Sequence, residues 1–145
     1  MEENFDLLKL DNQICFPLYA ASKGIVARYK PFLDEFGLTY TQYIVLMVLW
    51  EEKSCNVTHL GKRVLLDSGT LTPLLKKLEA KGLIKRVRDK KDERKLSITL
   101  TQKGEDLKKE AIKIPLSMAS CLKLKKEEAD ILYKTLHKLM EEFYE

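Results

Sequence analysis

The sequence predicts a mainly α-helical fold carrying one small β-hairpin. Apolar residues repeat at helical spacing over most of the 145-residue chain, the period changes to two only within residues 83–100, and that short β segment lies in its most basic stretch. With 45% hydrophobic and 33% charged residues, the chain has enough apolar side chains to bury a core as a single domain, 1–145.

Each element has its own signal. In the first forty residues Leu7, Leu8, Ile14, Leu18, Ile25 and Val26 read as helix, interrupted by Pro17 and ended near Pro31 or Gly37. Thr39-Tyr40-Thr41-Gln42 has the form of a capping box, so a helix follows over Tyr40–Glu52, hydrophobic all round and therefore buried. Asn56 suits an N-cap for a short helix with Val57, Leu60 and Val64 on one side. Leu71, Leu74, Leu75 and Leu78 then mark an amphipathic helix that Gly82 stops. Pro73 conflicts with the start of that helix: either Thr72 caps it with Pro73 at the first position, or it bends there. Leu83–Arg88 and Leu96–Leu100 read as strands around a charged loop, Asp89–Lys95, and Thr101 caps a return to helix. Leu107, Ala111 and Ile114 form one late stripe, and Ile131, Leu132, Leu136, Leu139, Met140 and Phe143 another. The central lobe, about 53–101, hardly needs these flanks to close its core. Residues of about 5–36 and 102–145 are therefore expected to be dimerisation helices that bury against a second copy.

The longest apolar run, Tyr43–Trp50, is far too short to span a bilayer, and an acidic N-terminus is unlike a signal peptide, so no membrane role and a cytoplasmic location are expected. Net charge is +4, but residues 59–103 carry 13 basic and 5 acidic side chains while the remainder is net −4. A basic centre between acidic flanks is the footprint of a chain that meets a polyanion with its middle.

Two short helices, a tight turn and a basic hairpin are the order of a winged helix-turn-helix that binds double-stranded DNA. On the outward face of the second helix, Ser68, Gly69, Thr70, Thr72, Pro73, Lys76 and Lys77 offer small groups for base edges and cations for phosphates. In the hairpin Arg88, Lys90 and Arg94 join a crowd of cations, and Arg94 is the candidate to enter a minor groove. A charge run on a hairpin is often only a solvated face; the whole series of elements argues against that here.

Leu66-Asp67-Ser68-Gly69-Thr70-Leu71-Thr72-Pro73-Leu74-Leu75-Lys76, Gly82-Leu83-Ile84, Asp92-Glu93-Arg94 and Leu100-Thr101 resemble the multiple antibiotic resistance regulator (MarR) family. Asn12-Gln13-Ile14-Cys15-Phe16-Pro17-Leu18-Tyr19 and Tyr29-Lys30-Pro31 resemble its organic hydroperoxide resistance repressor subgroup. The resemblance implies a homodimeric transcriptional repressor on a pseudo-palindromic operator, with Arg94 in the minor groove and Asp92 bracing the wing.

Three cysteines, 40 and 66 residues apart, match neither a disulfide framework nor a CxxC metal pattern. On an apolar helix Cys15 would by default be an inert thiol; the resemblance makes it the redox-sensing residue, with organic hydroperoxide as inducer. Only a thiolate attacks a peroxide, and both a helix N-terminus at Cys15 and the phenol of Tyr19 would stabilise one. Tyr29 lies about 21 Å further along a continuous helix and cannot reach Cys15 of its own chain; the resemblance implies that Tyr29 and Tyr40 of the partner do. It also makes Cys121 the candidate resolving residue of an intersubunit disulfide, with capping of the oxidised Cys15 by a small thiol as the alternative the subgroup also uses. Cys55 reads as structural. A metal site built from Cys55, His59, Cys121 and His137 has little behind it, and no cofactor is expected.

The alternatives are a MarR regulator released by a small phenolic or lipophilic ligand and, from another class, a thiol peroxidase. No enzyme activity is expected, since nothing in the sequence resembles a strand-rich redox domain.

Overall fold

A computed structural model describes residues 4–144; the acidic residues 2 and 3 that weigh against a signal peptide lie outside them. The chain is mostly helical with a three-stranded antiparallel sheet.

The first helical stretch is divided differently from the sequence reading. Phe5–Leu8 and Leu10–Asn12 are two short 3₁₀ turns, and α1 runs unbroken over Cys15–Asp34. Pro17 does not interrupt it: it sits in the first turn, where the missing N–H has no intrahelical partner to lose. Gly37, at φ 62°, ends the segment while Leu38 N–H reaches back to Leu33 O.

Helix α2 spans Tyr40–Glu52 behind the expected capping box: Thr39 Oγ1 accepts from Gln42 N–H at 3.3 Å, and Gln42 Oε1 accepts from Thr39 N–H at 3.0 Å. Tyr43, Val45, Leu46, Val48, Leu49 and Trp50 are all buried, which makes α2 the axis of the core. Residues Ser54–Asn56 form β1, a strand the sequence reading missed because three residues carry no readable period. Asn56 then caps α3, Val57–Val64, by accepting from His59 N–H at 2.8 Å, and Leu60 is fully buried beneath it.

Helix α4 spans Ser68–Ala80 and starts earlier than a Thr72 cap would allow. Asp67 is the cap, its Oδ1 accepting from Thr70 N–H at 2.8 Å, so Pro73 lies inside the helix and only the Gly69 carbonyl loses a partner. Leu71, Leu74, Leu75 and Leu78 are buried, at about 1.5–3 kcal/mol of transfer free energy each, and this stripe dictates which face looks outward. Gly82, at φ 73°, closes a Schellman turn: its N–H bonds to Glu79 O and that of Leu83 to Leu78 O.

Strands β2 (Ile84–Arg88) and β3 (Leu96–Leu100) form the expected hairpin, and β3 sits between β1 and β2. Thr101 caps α5, Gln102–Ala111. Gly104 of α5 packs so tightly that a Cβ would collide with the Leu83 carbonyl oxygen and stand 2.7 Å from Leu100 Cδ1. Its own carbonyl accepts the Trp50 indole N–H at 2.8 Å, which ties α5 to α2.

Helices α6 (Lys113–Leu122) and α7 (Lys126–Tyr144) follow. The chain falls into two compact units, Met1–Ile114 and Pro115–Glu145. In the first unit, Ala111 and Ile114 are buried in the chain's own core with Leu107 packed on it. That stripe is therefore not left over for a second copy. Of the other stripes, Leu7, Leu8, Ile14, Leu18 and Val26 near the start and Ile131, Leu132, Met140 and Phe143 in α7 are exposed.

Candidate functional site

The basic side chains converge on one groove of about 720 Å³, walled by the first turns of α3, the outward side of α4 and the β2–β3 wing. It collects Thr72 and Lys76 from α4 with Arg88 and Arg94 from the wing. Thr72 and Lys76 are spaced i, i+4 and so point the same way. Asn56, Thr58 and Lys62 of the α3 wall share the groove, and the sequence reading missed them. Their signal was present, because Thr58 and Lys62 repeat the same spacing, but that segment was read only for its apolar side.

The other predicted contact residues divide. Ser68, Gly69, Thr70, Pro73, Lys77 and Lys90 are exposed, yet none of them lines the groove. The Thr70 hydroxyl donates to Asp67 Oδ2 at 3.3 Å and so helps cap its own helix. A Cβ at position 69 would stand 3.2 Å from Asp67 Oδ1, so Gly69 has a local reason to be glycine beside any approach to DNA.

Two aspartates hold the wing tip. Asp92 Oδ1 accepts from Arg94 N–H at 3.1 Å, which orients the backbone that carries Arg94. Asp89, overlooked in the sequence, accepts from Lys91 N–H at 2.7 Å while its own N–H reaches Lys95 O at 2.8 Å. Arg88 Nη1 donates to Glu93 O at 3.2 Å. The loop is thus a turn with a hydrogen-bonded backbone, and among its cations Arg88 is held by its side chain as well.

The thiols occupy different settings. Cys15 is exposed at the first position of α1, where unpaired backbone N–H groups favour an anion. Tyr19 stands one turn on, with Lys23 Nζ 5.1 Å from its ring centre. Tyr29 and Tyr40 pack together at 4.9 Å between ring centres, and Tyr43, not anticipated, completes the cluster at 5.9 and 6.4 Å. Burial, and for Tyr29 the neighbouring Tyr40 phenol, pushes the hydroxyls of Tyr29 and Tyr40 above the usual tyrosine value. The same causes, burial first and then the other two phenols, act on Tyr43. These groups stay protonated near neutral pH and are suited to donate hydrogen bonds to a thiolate.

Cys121 is exposed near the end of α6. Cys55 lies in β1 opposite Ile98, half-buried. Burial first, then the Glu52 carboxylate, raises its thiol against the pull of Arg63, so it is poorly suited to react. His59 is engaged with Glu52, whose oxygens lie 2.9 and 3.1 Å from Nε2, and among the described residues no group of three potential ligands gathers to hold a metal.

Residues 27–111 match the family of transcriptional regulators SarA/Rot. The chain is 43% identical to the organic hydroperoxide resistance transcriptional regulator of Bacillus subtilis over 145 residues, covering all of this chain and 99% of the relative. Among solved structures it is similar to reduced AbfR bound to DNA, with a TM-score of 0.80, 35% identity, and coverage of 99% of this chain and 100% of that one. It is also similar to disulfide-formed AbfR, with a TM-score of 0.67, 37% identity, and coverage of 93% and 95%.

Proposed function

Because this chain belongs to the MarR-type family of transcriptional regulators, in the branch of the organic hydroperoxide resistance and SarA/Rot proteins, we propose that it is a dimeric, DNA-binding repressor released by organic hydroperoxides. The observation that carries the DNA-binding half is the single groove uniting Thr72 and Lys76 of α4 with Arg88 and Arg94 of the wing. A helix set in a major groove and a wing beside it need such convergence. The exposed apolar faces near both ends of the chain support burial against a second copy, which also gives two half-site readers.

The switch rests on Cys15, exposed at a helix N-terminus. Its thiolate attacks the hydroperoxide: an S–O bond forms, the O–O bond breaks, the sulfur becomes a sulfenic acid, and the departing alkoxide takes a proton from water to leave as an alcohol. Cys121 of the partner subunit then attacks that sulfur, forming the disulfide and releasing water. The bond needs the two Cα atoms within about 7 Å, so any larger separation in the reduced dimer demands a movement, and that movement carries the signal to the DNA-reading helices. The resemblance to disulfide-formed AbfR supports a disulfide over capping by a small thiol.

Release by a small ligand draws less support. Among the described residues, one cavity between α1 and α2, lined by Val26, Leu33, Leu38 and Tyr40 together with Lys30 and Asp34, measures about 260 Å³, below the roughly 300–1,000 Å³ usual for such sites. The relatives are regulators and lend nothing to a thiol peroxidase.

The test treats reduced protein with cumene hydroperoxide, then maps joined cysteines by mass spectrometry and follows DNA binding. A Cys15–Cys121 intersubunit link and loss of binding without unfolding are expected. Equal affinity of reduced and oxidised protein overturns the sensor, and a dimer band on non-reducing gels that survives Cys121→Ser overturns the resolving role.

A further inference from the structure

The last turn of α4 carries Glu79, three residues beyond Lys76 and next to the groove-facing side. Its carboxylate takes three contacts from one residue of β2. Oε1 accepts the backbone N–H of Arg86 at 3.2 Å, and Oε2 accepts Nε at 2.8 Å and pairs with Nη2 at 2.8 Å. β2 is an edge strand of the sheet, and this amide goes to Glu79 instead of to β3. A fork of two side-chain nitrogens and one backbone amide on a single carboxylate fixes direction as well as distance.

The groove asks for such a fixture. Thr72 and Lys76 stand on the helix, Arg88 and Arg94 on the wing, and a rigid duplex must meet both together. We propose that Glu79 and Arg86 are a positioning pair that sets the spacing between α4 and the wing, so that one DNA duplex engages Lys76 and Arg94 at the same time. The inference rests on the DNA-binding reading above and deepens it.

Charge alone makes the opposite prediction. A carboxylate beside Lys76 repels phosphate, so deleting it would raise affinity for any duplex. Positioning predicts a loss, because the freed wing must be ordered again on every encounter and its arginine no longer adds to what the helix binds.

The experiment uses the reduced full-length protein and the duplex that wild type enriches from a random-sequence pool, read by fluorescence anisotropy with Glu79→Ala, Arg94→Ala and the double variant. Expected are an affinity loss of about tenfold for Glu79→Ala and an Arg94→Ala effect at least about fivefold smaller in that background than in wild type. Merely weakened folding would lower the active fraction and leave the Arg94 effect unchanged. If Glu79→Ala has melted at the assay temperature by circular dichroism, the cycle is run with Glu79→Gln, which keeps the size of the side chain and loses the charged fork without touching Arg86, itself a residue of the groove wall. Additive variants, or a rise in affinity, overturn the pair's role alone. A wild-type protein that enriches no duplex overturns the DNA-binding reading with it.

Discussion

Cys15 and Tyr29 stand on one unbroken helix, separated by about 21 Å of axial rise, so the thiol and the tyrosine cluster of one chain cannot touch. Tyr29 is instead packed on Tyr40 of α2. If these phenols serve the thiolate, they serve that of the other subunit.

Replacing Tyr29 and Tyr40 together by Phe is therefore expected to slow the reaction of Cys15 with cumene hydroperoxide by about tenfold, the loss of hydrogen bonds to a charged group. Stopped-flow measurement on mixed dimers separates the subunits: Cys15→Ser in the same protomer as the Phe pair should leave the partner's Cys15 slow. A normal rate there means the contact lies within one chain or does not exist.

Arg94→Ala should weaken DNA binding and reduce the slope of log affinity against log salt by about one. Lys62→Met, on the α3 wall of the same groove, should do likewise. An unchanged slope for either places that side chain off the phosphates.

Gly104→Ala should destabilise the fold by about 1–3 kcal/mol, since its Cβ meets a backbone carbonyl and a core leucine that cannot both withdraw. Thermal melting followed by circular dichroism reads the loss, and an unaltered midpoint shows that α5 can shift without penalty.

Acid should weaken the protein through three carboxylates. Bonds from His59 first, then the Arg63 charge, hold Glu52 below the ordinary carboxylate value; Arg86 does so for Glu79 and Lys53 for Glu105. A depressed folded-state value contributes stability in full above the ordinary value near 4.5, and that contribution disappears as the pH falls through the folded one. Melting temperature should thus stay level from pH 7 to about 5 and drop below that. Glu79→Gln should flatten part of the drop, and identical pH profiles for variant and wild type would remove that pair from the account.

Much of this was legible from local rules. The Thr39–Gln42 capping box, the Asn56 cap, the Gly82 stop and the leucine stripe of α4 each act within a few residues of themselves, and they appear where the sequence places them. The misreadings share a cause. Pro17 looks like a break only until it is seen to lie in the first turn of α1, Pro73 looks like a first helical residue only until Asp67 is known to cap α4, and β1 exists because β3 is there to pair with it.

The sequence by itself determined the order of the central helices and the hairpin, the outward face of α4 and the basic character of the middle of the chain, because helical period, capping and charge are written in neighbouring residues. Only the tertiary structure decided which cations share a groove, that Glu79 anchors the wing root through Arg86, and that Ala111 and Ile114 belong to the chain's own core. Those outcomes depend on contacts between residues distant in sequence, and no local preference encodes which distant partner a side chain will meet.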